Sequence, residues 1–356
     1  MEILVTGPSG VLGPHLVAAL LRRGHRVRAL LLPTEDASWL SEMGAVTYVG
    51  DVREPGSLAE PMRGANAVFH LASKSSGWRP MGEYHEVNVA GTANVCAAAL
   101  AAGVRRFIHV SAAVVYGLGH RRPVGEDRPL APIDDPYCVT KAASDELVQG
   151  MIARRGLPGT IVRPGTIIGP GDQLNFGRIA ERLLKGKGIV IGSGRNALLF
   201  TYVTDVVQGL LLALDCDRAV GQAYNIGTDQ PLTQSRALGA IAREVGAAPP
   251  RVHIPYALAY TLAFAAERLA VLSGYRHQPI VTRHGVALYG SDNRLSIAKA
   301  RSELGYEPKV PVAEGIRIAG AWWRETASRF AGQSQIDSQR AALAFQEGSQ
   351  CAGSQQ

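Results

Sequence analysis

Tyr137 and Lys141 stand four residues apart in Tyr137-Cys138-Val139-Thr140-Lys141. On a helix that spacing puts both side chains on one face. A phenol that titrates at about 10 is a poor proton carrier near neutral pH. A neighbouring ammonium, joined by the positive charge of an oxidised nicotinamide, stabilises the phenolate and brings the phenol into range. The pair therefore suits proton transfer to or from a substrate oxygen while a hydride moves to or from the adjoining carbon. Y-x-x-x-K is common by chance on helix surfaces, so its meaning depends on where the fold places it.

A hydride needs a carrier. Thr6-Gly7-Pro8-Ser9-Gly10-Val11-Leu12-Gly13 joins the first apolar run to the first helical stretch. Its G-x-x-G-x-x-G spacing allows a tight turn and a close approach of backbone to a pyrophosphate, with a helix N-terminus behind it. A purely structural turn is the alternative, but the strand–helix junction is the context a dinucleotide site requires. Gly7, Ser9, Gly10, Val11 and Leu12 are the candidate phosphate-loop residues. The second apolar run ends in Leu30-Leu31-Leu32-Pro33, with neither an acid for a ribose 2′-hydroxyl nor a base for a 2′-phosphate. The missing acid tilts the expectation slightly to NADP over NAD. Asp51 and Val52, after the third run, are candidates for the adenine; Asp51 as a helix cap is the alternative.

The elements that must hold these residues follow from periodicity. Strand-like runs are expected at Ile3-Val5, Val27-Leu31, Val46-Val49, Ala67-Leu71, Phe107-Ser111 and Thr160-Arg163, and later at Phe200-Val203 and Ala223-Ile226. Helical patterns lie between them at Leu12-Arg23, Pro55-Arg63, Glu86-Ala102 and Tyr137-Arg155, with Gly103 and Gly156 as C-terminal caps. Continuous apolar strands alternating with helices imply an α/β fold, a Rossmann doubly wound parallel sheet. Beyond Pro164 the alternation breaks, which points to a smaller, discontinuous C-terminal substrate lobe. The expected division gives residues 1–165, 200–226 and about 285–296 to the dinucleotide domain. It gives 166–199, 227–284 and 297–330 to the lobe, and a disordered Gln/Ser/Ala/Gly-rich tail to 331–356.

With 356 residues, 46% hydrophobic and 19% charged, the chain can bury a sizeable core. The net charge of +7 is scattered without a long basic run, so no nucleic-acid partner is expected. Cys96, Cys138, Cys216 and Cys351 show no disulfide framework or zinc spacing, and no metal is expected. No signal-like stretch precedes the first strand, so a cytoplasmic location is expected. The apolar segment 254–274 contains Glu267 and Arg268 and is too interrupted to span a membrane. A helix packed in the protein, as lobe core or pocket cap, is the main reading, and membrane-surface contact the other.

Taken together the motifs resemble those of the extended short-chain dehydrogenase/reductase family, from Met1 to about Phe330. The resemblance rests on the glycine loop, Asp51-Val52, His70-Leu71-Ala72, Val87-Asn88-Val89-Ala90-Gly91-Thr92, Val115-Tyr116-Gly117, Tyr137 to Lys141 and Arg163-Pro164-Gly165. Gly169-Pro170-Gly171-Asp172, Tyr202 to Val206, Tyr224-Asn225-Ile226-Gly227 and Ala300 to Tyr306 add to it. It implies that Leu71, Ala72 and Ser73 line the cofactor and that Asn88 supports the active-site helix. It further implies that Pro164, Thr166 and Ile167 meet the nicotinamide end, and that the chain is a homodimer through Glu86-Ala102 and Tyr137-Arg155. Ser76-Gly77-Trp78, Ile254-Pro255-Tyr256 and Thr282-Arg283-His284-Gly285 resemble its 3β-hydroxysteroid dehydrogenase-like and dihydroflavonol reductase-like branch. Relatives acting on nucleotide sugars usually carry a basic residue where this chain has Ala197-Leu198-Leu199, which suits an apolar substrate better.

One departure bears on the chemistry. The family's catalytic Ser or Thr lies four residues before the tyrosine of V-Y-G, and here that position is Ala112. Losing one such donor typically costs about 10²–10³ in rate. Ser111 is the adjacent candidate, but successive strand residues point to opposite faces, so it needs a bulge or turn to serve. Thr166 is another. The expected activity is NAD(P)-dependent interconversion of a hydroxyl and a ketone on an apolar small molecule. The alternatives are a nucleotide-sugar epimerase or dehydratase, and a catalytically weak cofactor-binding protein.

Overall fold

Uninterrupted apolar runs have no polar face to show to water, and here all but the edge strand Val46–Val49 are largely covered on both sides. The computed structural model describes residues 1–326 except Ala37 and Ser76; the expected tail, and the last residues assigned to the lobe, 327–330, lie outside the described residues. Seven parallel strands form one sheet in the order Ala223–Ile226, Gly159–Pro164, Arg106–Val110, Ala67–His70, Glu2–Thr6, Arg26–Leu31, Val46–Val49. The chain winds from Glu2–Thr6 to one edge, then returns to Ala67–His70 and winds to the other. The crevice of such a sheet opens where the order reverses, beyond the carboxyl ends of Glu2–Thr6 and Ala67–His70. The glycine loop and Leu71-Ala72 lie at those two ends.

Each face has its own core. Leu16, Val17 and Leu20 pack with Leu210 and Leu214 of the Val203–Asp215 helix on one side. Val95, Cys96 and Ala99 pack with Val148 of the Pro136–Arg155 helix on the other. A third cluster, away from the sheet, gathers Phe176, Leu198, Ile241, Ile316 and Trp322. Three short parallel pairs stand outside the main sheet: Thr166–Ile168 with Phe200–Tyr202, Ile189–Ile191 with Val252–Ile254, and His120–Val124 with Asn293–Leu295.

The apolar segment after Ile254 forms the helix Tyr256–Leu272, but it is not the packed core element its composition predicted. Ala259, Ala263, Glu267 and Ala270 face inward, and its leucines face out. Small side chains let the helix lie close to its support, so bulk is excluded from the inner face. Among the described residues, no helix is long and apolar enough to cross a membrane.

Candidate active site

The helix Pro136–Arg155 begins with a strong cap. Asp135 Oδ1 accepts from the backbone N–H of Tyr137 at 3.0 Å and of Cys138 at 3.2 Å, and Pro136 occupies the first turn where its missing N–H costs nothing. Gly156 ends the helix at φ +68°, as expected of a C-terminal cap. Between these stops, Tyr137, Lys141 and Asp145 follow one another at four-residue spacing along one face.

Lys141 is buried, and its Nζ donates to the Val110 carbonyl at 2.8 Å. Burial lowers its pKa to about 8. Burial, with the nearby Cys138 and Asp135, pushes the Tyr137 phenol above its ordinary value. The lowering of the phenol foreseen from the ammonium is not seen with Lys141 Nζ on the Val110 carbonyl. The same burial drives His70 down to about 3, so that ring stays neutral between Thr6 Oγ1 and Thr92 Oγ1.

Asp145 anchors the helix to the sheet. Arg163 meets it in a two-pronged pair, Nε to Oδ2 and Nη2 to Oδ1, both at 2.8 Å, and neither residue is open to solvent. Arg163 Nη1 also donates to Tyr116 Oη at 2.6 Å, and Tyr116 donates to Asn225 Oδ1 at 2.9 Å. Burial raises the Asp145 carboxyl, but the hydrogen bonds and charge of Arg163 outweigh it and hold the group below its ordinary value.

The structure separates Ser111 from Ala112. Strand register runs unbroken from Phe107 to Val110 against Gly159 to Val162, and Ser111 N–H continues it to the Val162 carbonyl at 2.8 Å. Ala112 is still extended, at φ −158° and ψ 152°, before the tight helical turn Ala113–Tyr116. No bulge brings Ser111 round. Its buried Oγ has no partner at hydrogen-bond distance, yet it helps keep Asp145 charged. Ala112 packs in the cluster that Tyr137, Cys138 and Leu288 share.

Leu288 belongs to the helix Arg283–Gly290, whose N-cap, Thr282, accepts from Gly285 N–H at 3.0 Å. One turn before Leu288 stands His284. Its ring stacks on that of Tyr137, Nδ1 is 3.5 Å from Asp135 Oδ1, and Nε2 is buried without a partner. Asp135, Cys138 and His284 each bring one donor atom within 4.8 Å of the others. Asp135 Oδ1 already serves two helix N–H groups, so the trio reads as a helix cap that also clamps an imidazole. Burial pushes Asp135 up, and the contact with His284 and the Cys138 N–H holds it down overall.

The glycine loop fits a dinucleotide. Gly7 has φ +66°, and a Cβ there would lie 2.6 Å from Ala72 Cα, so only glycine lets the two strand ends meet. At Gly10 a Cβ would meet nothing nearer than the Gly7 carbonyl at 3.7 Å, which leaves an open cradle. The helix Gly13–Arg22 has no side-chain cap and no acid in its first turn, but Gly13 N–H is on the Gly10 carbonyl at 3.2 Å and Pro14 has none, so the groups that could meet an anion are chiefly those of the loop before it. Val11 and Leu12 lie between Gly10 and that helix. Asn88 ties the neighbouring loop to the Pro136–Arg155 helix. Its Oδ1 accepts from Ser73 Oγ and Lys74 N–H, and its Nδ2 donates to Thr140 Oγ1 at 2.9 Å. It sits in a wide helical turn, Glu86–Gly91. Asp51 is gripped by Arg53 through two guanidinium bonds at 2.9 and 2.6 Å, chiefly for which its carboxyl is lowered. Glu54, not Asp51, precedes the short helix at Pro55. Thr166 N–H pairs with the Leu199 carbonyl at 2.8 Å, and Asn175 Nδ2 reaches the Ile167 carbonyl at 3.4 Å, fixing the segment after Pro164.

Two residues escaped the sequence reading. Glu35 lies four positions past the strand Arg26–Leu31, and a turn folds it back, with its N–H on the Leu32 carbonyl at 3.0 Å. Its carboxylate accepts from Leu32 N–H at 2.9 Å and from Ser9 Oγ of the glycine loop. An acid does face the loop, although none ends the strand. The only local signal was a turn-forming Pro33-Thr34 before it. His284 was visible only as part of a family-like segment, since nothing local ties it to Tyr137.

Comparison with known proteins agrees with this fold. Residues 3–227 match the NAD dependent epimerase/dehydratase family. A 2-alkyl-3-oxoalkanoate reductase of Stenotrophomonas maltophilia is 34% identical over 89% of this chain and 98% of its own length. A 3-beta-hydroxysteroid dehydrogenase of Mycolicibacterium neoaurum is 31% identical over 86% of this chain and 87% of its own. The crystal structure of DesIV, a dTDP-glucose 4,6-dehydratase of Streptomyces venezuelae with NAD bound, superposes with a TM-score of 0.75. That structure is 27% identical and covers 93% of this chain and 99% of its own.

Proposed function

The chain belongs to the NAD dependent epimerase/dehydratase family, and from that premise we propose that it interconverts a hydroxyl and a ketone on a largely apolar small molecule. The reading is carried by Tyr137 and Lys141 one turn apart on one helix face, with the His284 ring stacked on the phenol. The reductase and dehydrogenase relatives support the reaction class. The nicotinamide, when bound, gives or takes the hydride and in its oxidised form adds positive charge near the phenol. Tyr137 Oη passes the proton to or from the substrate oxygen. Lys141, freed from the Val110 carbonyl, holds the nicotinamide side and favours the phenolate.

The donor's part vacated at Ala112 we assign to His284 rather than to Ser111. With Nε2–H toward the substrate it donates to the ketone oxygen and, in the reverse direction, to the same oxygen as it develops from the alcohol. Glu35 sets the nucleotide. A carboxylate against the glycine loop accepts from a ribose hydroxyl and repels a 2′-phosphate, which favours NAD and reverses the tilt to NADP. Gly7, Gly10 and the N-terminus of the Gly13–Arg22 helix take the pyrophosphate, and Asp51-Val52 the adenine. The lobe built on Phe176, Leu198 and Trp322 closes the substrate side. A cytoplasmic homodimer through the helical stretches 86–102 and 137–155 completes the proposal.

The test is a panel of NADH and NADPH against 2-alkyl-3-ketoesters, 3-ketosteroids, UDP-sugars and dTDP-sugars, scored for turnover and for protection from heat. Turnover of a ketone with NADH is the expected outcome. Protection and turnover confined to the nucleotide sugars would replace this reading with an epimerase or dehydratase.

A further inference from the structure

The helix Tyr256–Leu272 presents its apolar side to solvent. Leu258, Leu262, Ala265, Leu269 and Leu272 follow a four-three-four-three spacing, which on an α-helix draws one continuous stripe. Leu258 and Leu262 are 51% and 53% exposed, Leu269 66% and Leu272 82%; Ile280, in the turn beyond, is 84% exposed. Isolated exposed leucines need no explanation, but a stripe of them on a single helix marks an interaction face.

The exposed charges on residues 251–283 are of one sign, although the exposed Asp134 carboxylate from outside that segment stands 3.3 Å from Arg283. Residues 251–283 contain four arginines, Arg251, Arg268, Arg276 and Arg283, and a single acid, Glu267. Glu267 is buried and committed to Arg283, with Nε on Oε2 at 2.6 Å. The other three arginines are exposed and carry no ion pair within that segment. Arg268 lies over the Phe264 ring, 4.9 Å from its centroid, covering the aromatic face with its guanidinium. A second copy docked on this stripe would set arginines against arginines, with no exposed carboxylate on 251–283 to answer them. An anionic bilayer supplies both the apolar phase and the missing negative charge.

We infer that this helix docks the protein on an anionic lipid surface, in the plane of the interface and without spanning it. The leucine stripe enters the headgroup boundary, and Arg268 and Arg276 meet lipid phosphates. The helix packs on Arg283–Gly290, the helix that carries His284, through the buried Ala259, Ala263 and Val286. Docking therefore places the lobe side of the site at the source of apolar molecules.

Flotation of the full-length chain with phosphatidylcholine vesicles, with and without about one quarter phosphatidylglycerol, tests this. The chain is expected to float with the anionic vesicles and far less with the neutral ones. Leu269→Gln/Leu272→Gln is expected to weaken binding at least about tenfold. Arg268→Gln and Arg276→Gln are each expected to weaken it roughly fivefold. All four positions are exposed, so melting temperature and NADH binding are expected to hold in every variant. A wild-type chain that floats with neither vesicle overturns the inference. In that event, a leucine variant that elutes as a smaller species than wild type assigns the face to a second copy. A variant of unchanged size with faster proteolysis in 327–356 assigns it to that segment.

Discussion

The imidazole of His284 lies over the phenol of Tyr137, with ring centroids 6.1 Å apart and ring planes inclined by 16°. The two residues come from opposite halves of the chain, and Asp135 joins them by capping the helix of one and holding the ring of the other. Ala112 packs in the same cluster as Tyr137, so the residue that lacks the hydroxyl and the histidine border one phenol.

His284→Ala is therefore expected to lower kcat by about 10²–10³, the usual loss for one donor to a developing oxyanion. His284→Gln, which keeps an N–H, is expected to fall between it and wild type. Ala112→Ser placed in the His284→Ala chain is expected to restore most of the rate, while in the wild-type chain it adds little. Steady-state kinetics on the four variants decide the matter. Equal kcat in His284→Ala and wild type would remove the histidine from the chemistry.

Glu35 gives a cofactor prediction. Wild type is expected to bind NADH at least about tenfold more tightly than NADPH, because a carboxylate beside a 2′-phosphate is a repulsive element. Glu35→Arg is expected to close or invert that ratio, measured by quenching of intrinsic fluorescence. An unchanged ratio in the variant would place the selection elsewhere.

Lys141 sets a pH limit. Burial lowers its pKa to about 8, so its ammonium is present below that value and lost as pH rises through it. The value of kcat/KM for NADH, which reports the free enzyme, is expected to decline above about pH 8. Lys141→Arg, which stays charged, is expected to move that limb upward. Stability runs the other way. The unfolded chain holds this proton to about pH 10.4. The folded chain therefore gains stability from this residue between the two values.

Asp145→Asn strands the Arg163 guanidinium in a buried site. Breaking such a pair from one side costs about 3–5 kcal/mol. At this chain length that corresponds to a fall of roughly 10 °C in melting temperature. Because the Asp145 carboxyl is held low, its contribution is present at neutral pH. It is lost only as pH falls below about 4. Calorimetry of the variant at pH 7 checks the size, and a pH series on wild type checks the sign.

The inner strands of the central sheet were legible because strands buried on both faces must be apolar throughout; Val46–Val49 is mainly apolar although, at the sheet edge, both of its valines are exposed. Val46–Val49 and Ala223–Ile226 fall on the expected residues, and the others within a residue or so at each end. The glycine loop was legible because backbone approach to phosphate excludes side chains. Of the strands outside the sheet, Phe200–Tyr202 was legible and the others were hidden. His120-Arg121-Arg122-Pro123-Val124 is polar where it faces water, and Ile189–Ile191 and Val252–Ile254 are three residues each. Glu35 and His284 were hidden for another reason. Their meaning lies in contacts with Ser9 and Tyr137, and no local pattern encodes a tertiary contact. The helix Tyr256–Leu272 misled because composition gives the amount of apolar surface and not the side on which it lies.

The account stands most directly on the proton at Tyr137. The measurement is oxidation of NADH by a 2-alkyl-3-ketoester in wild type and Tyr137→Phe, with NADH affinity determined on both. The expected result is unchanged affinity with turnover reduced by about 10²–10⁴. Turnover in Tyr137→Phe equal to wild type would contradict the account at its root.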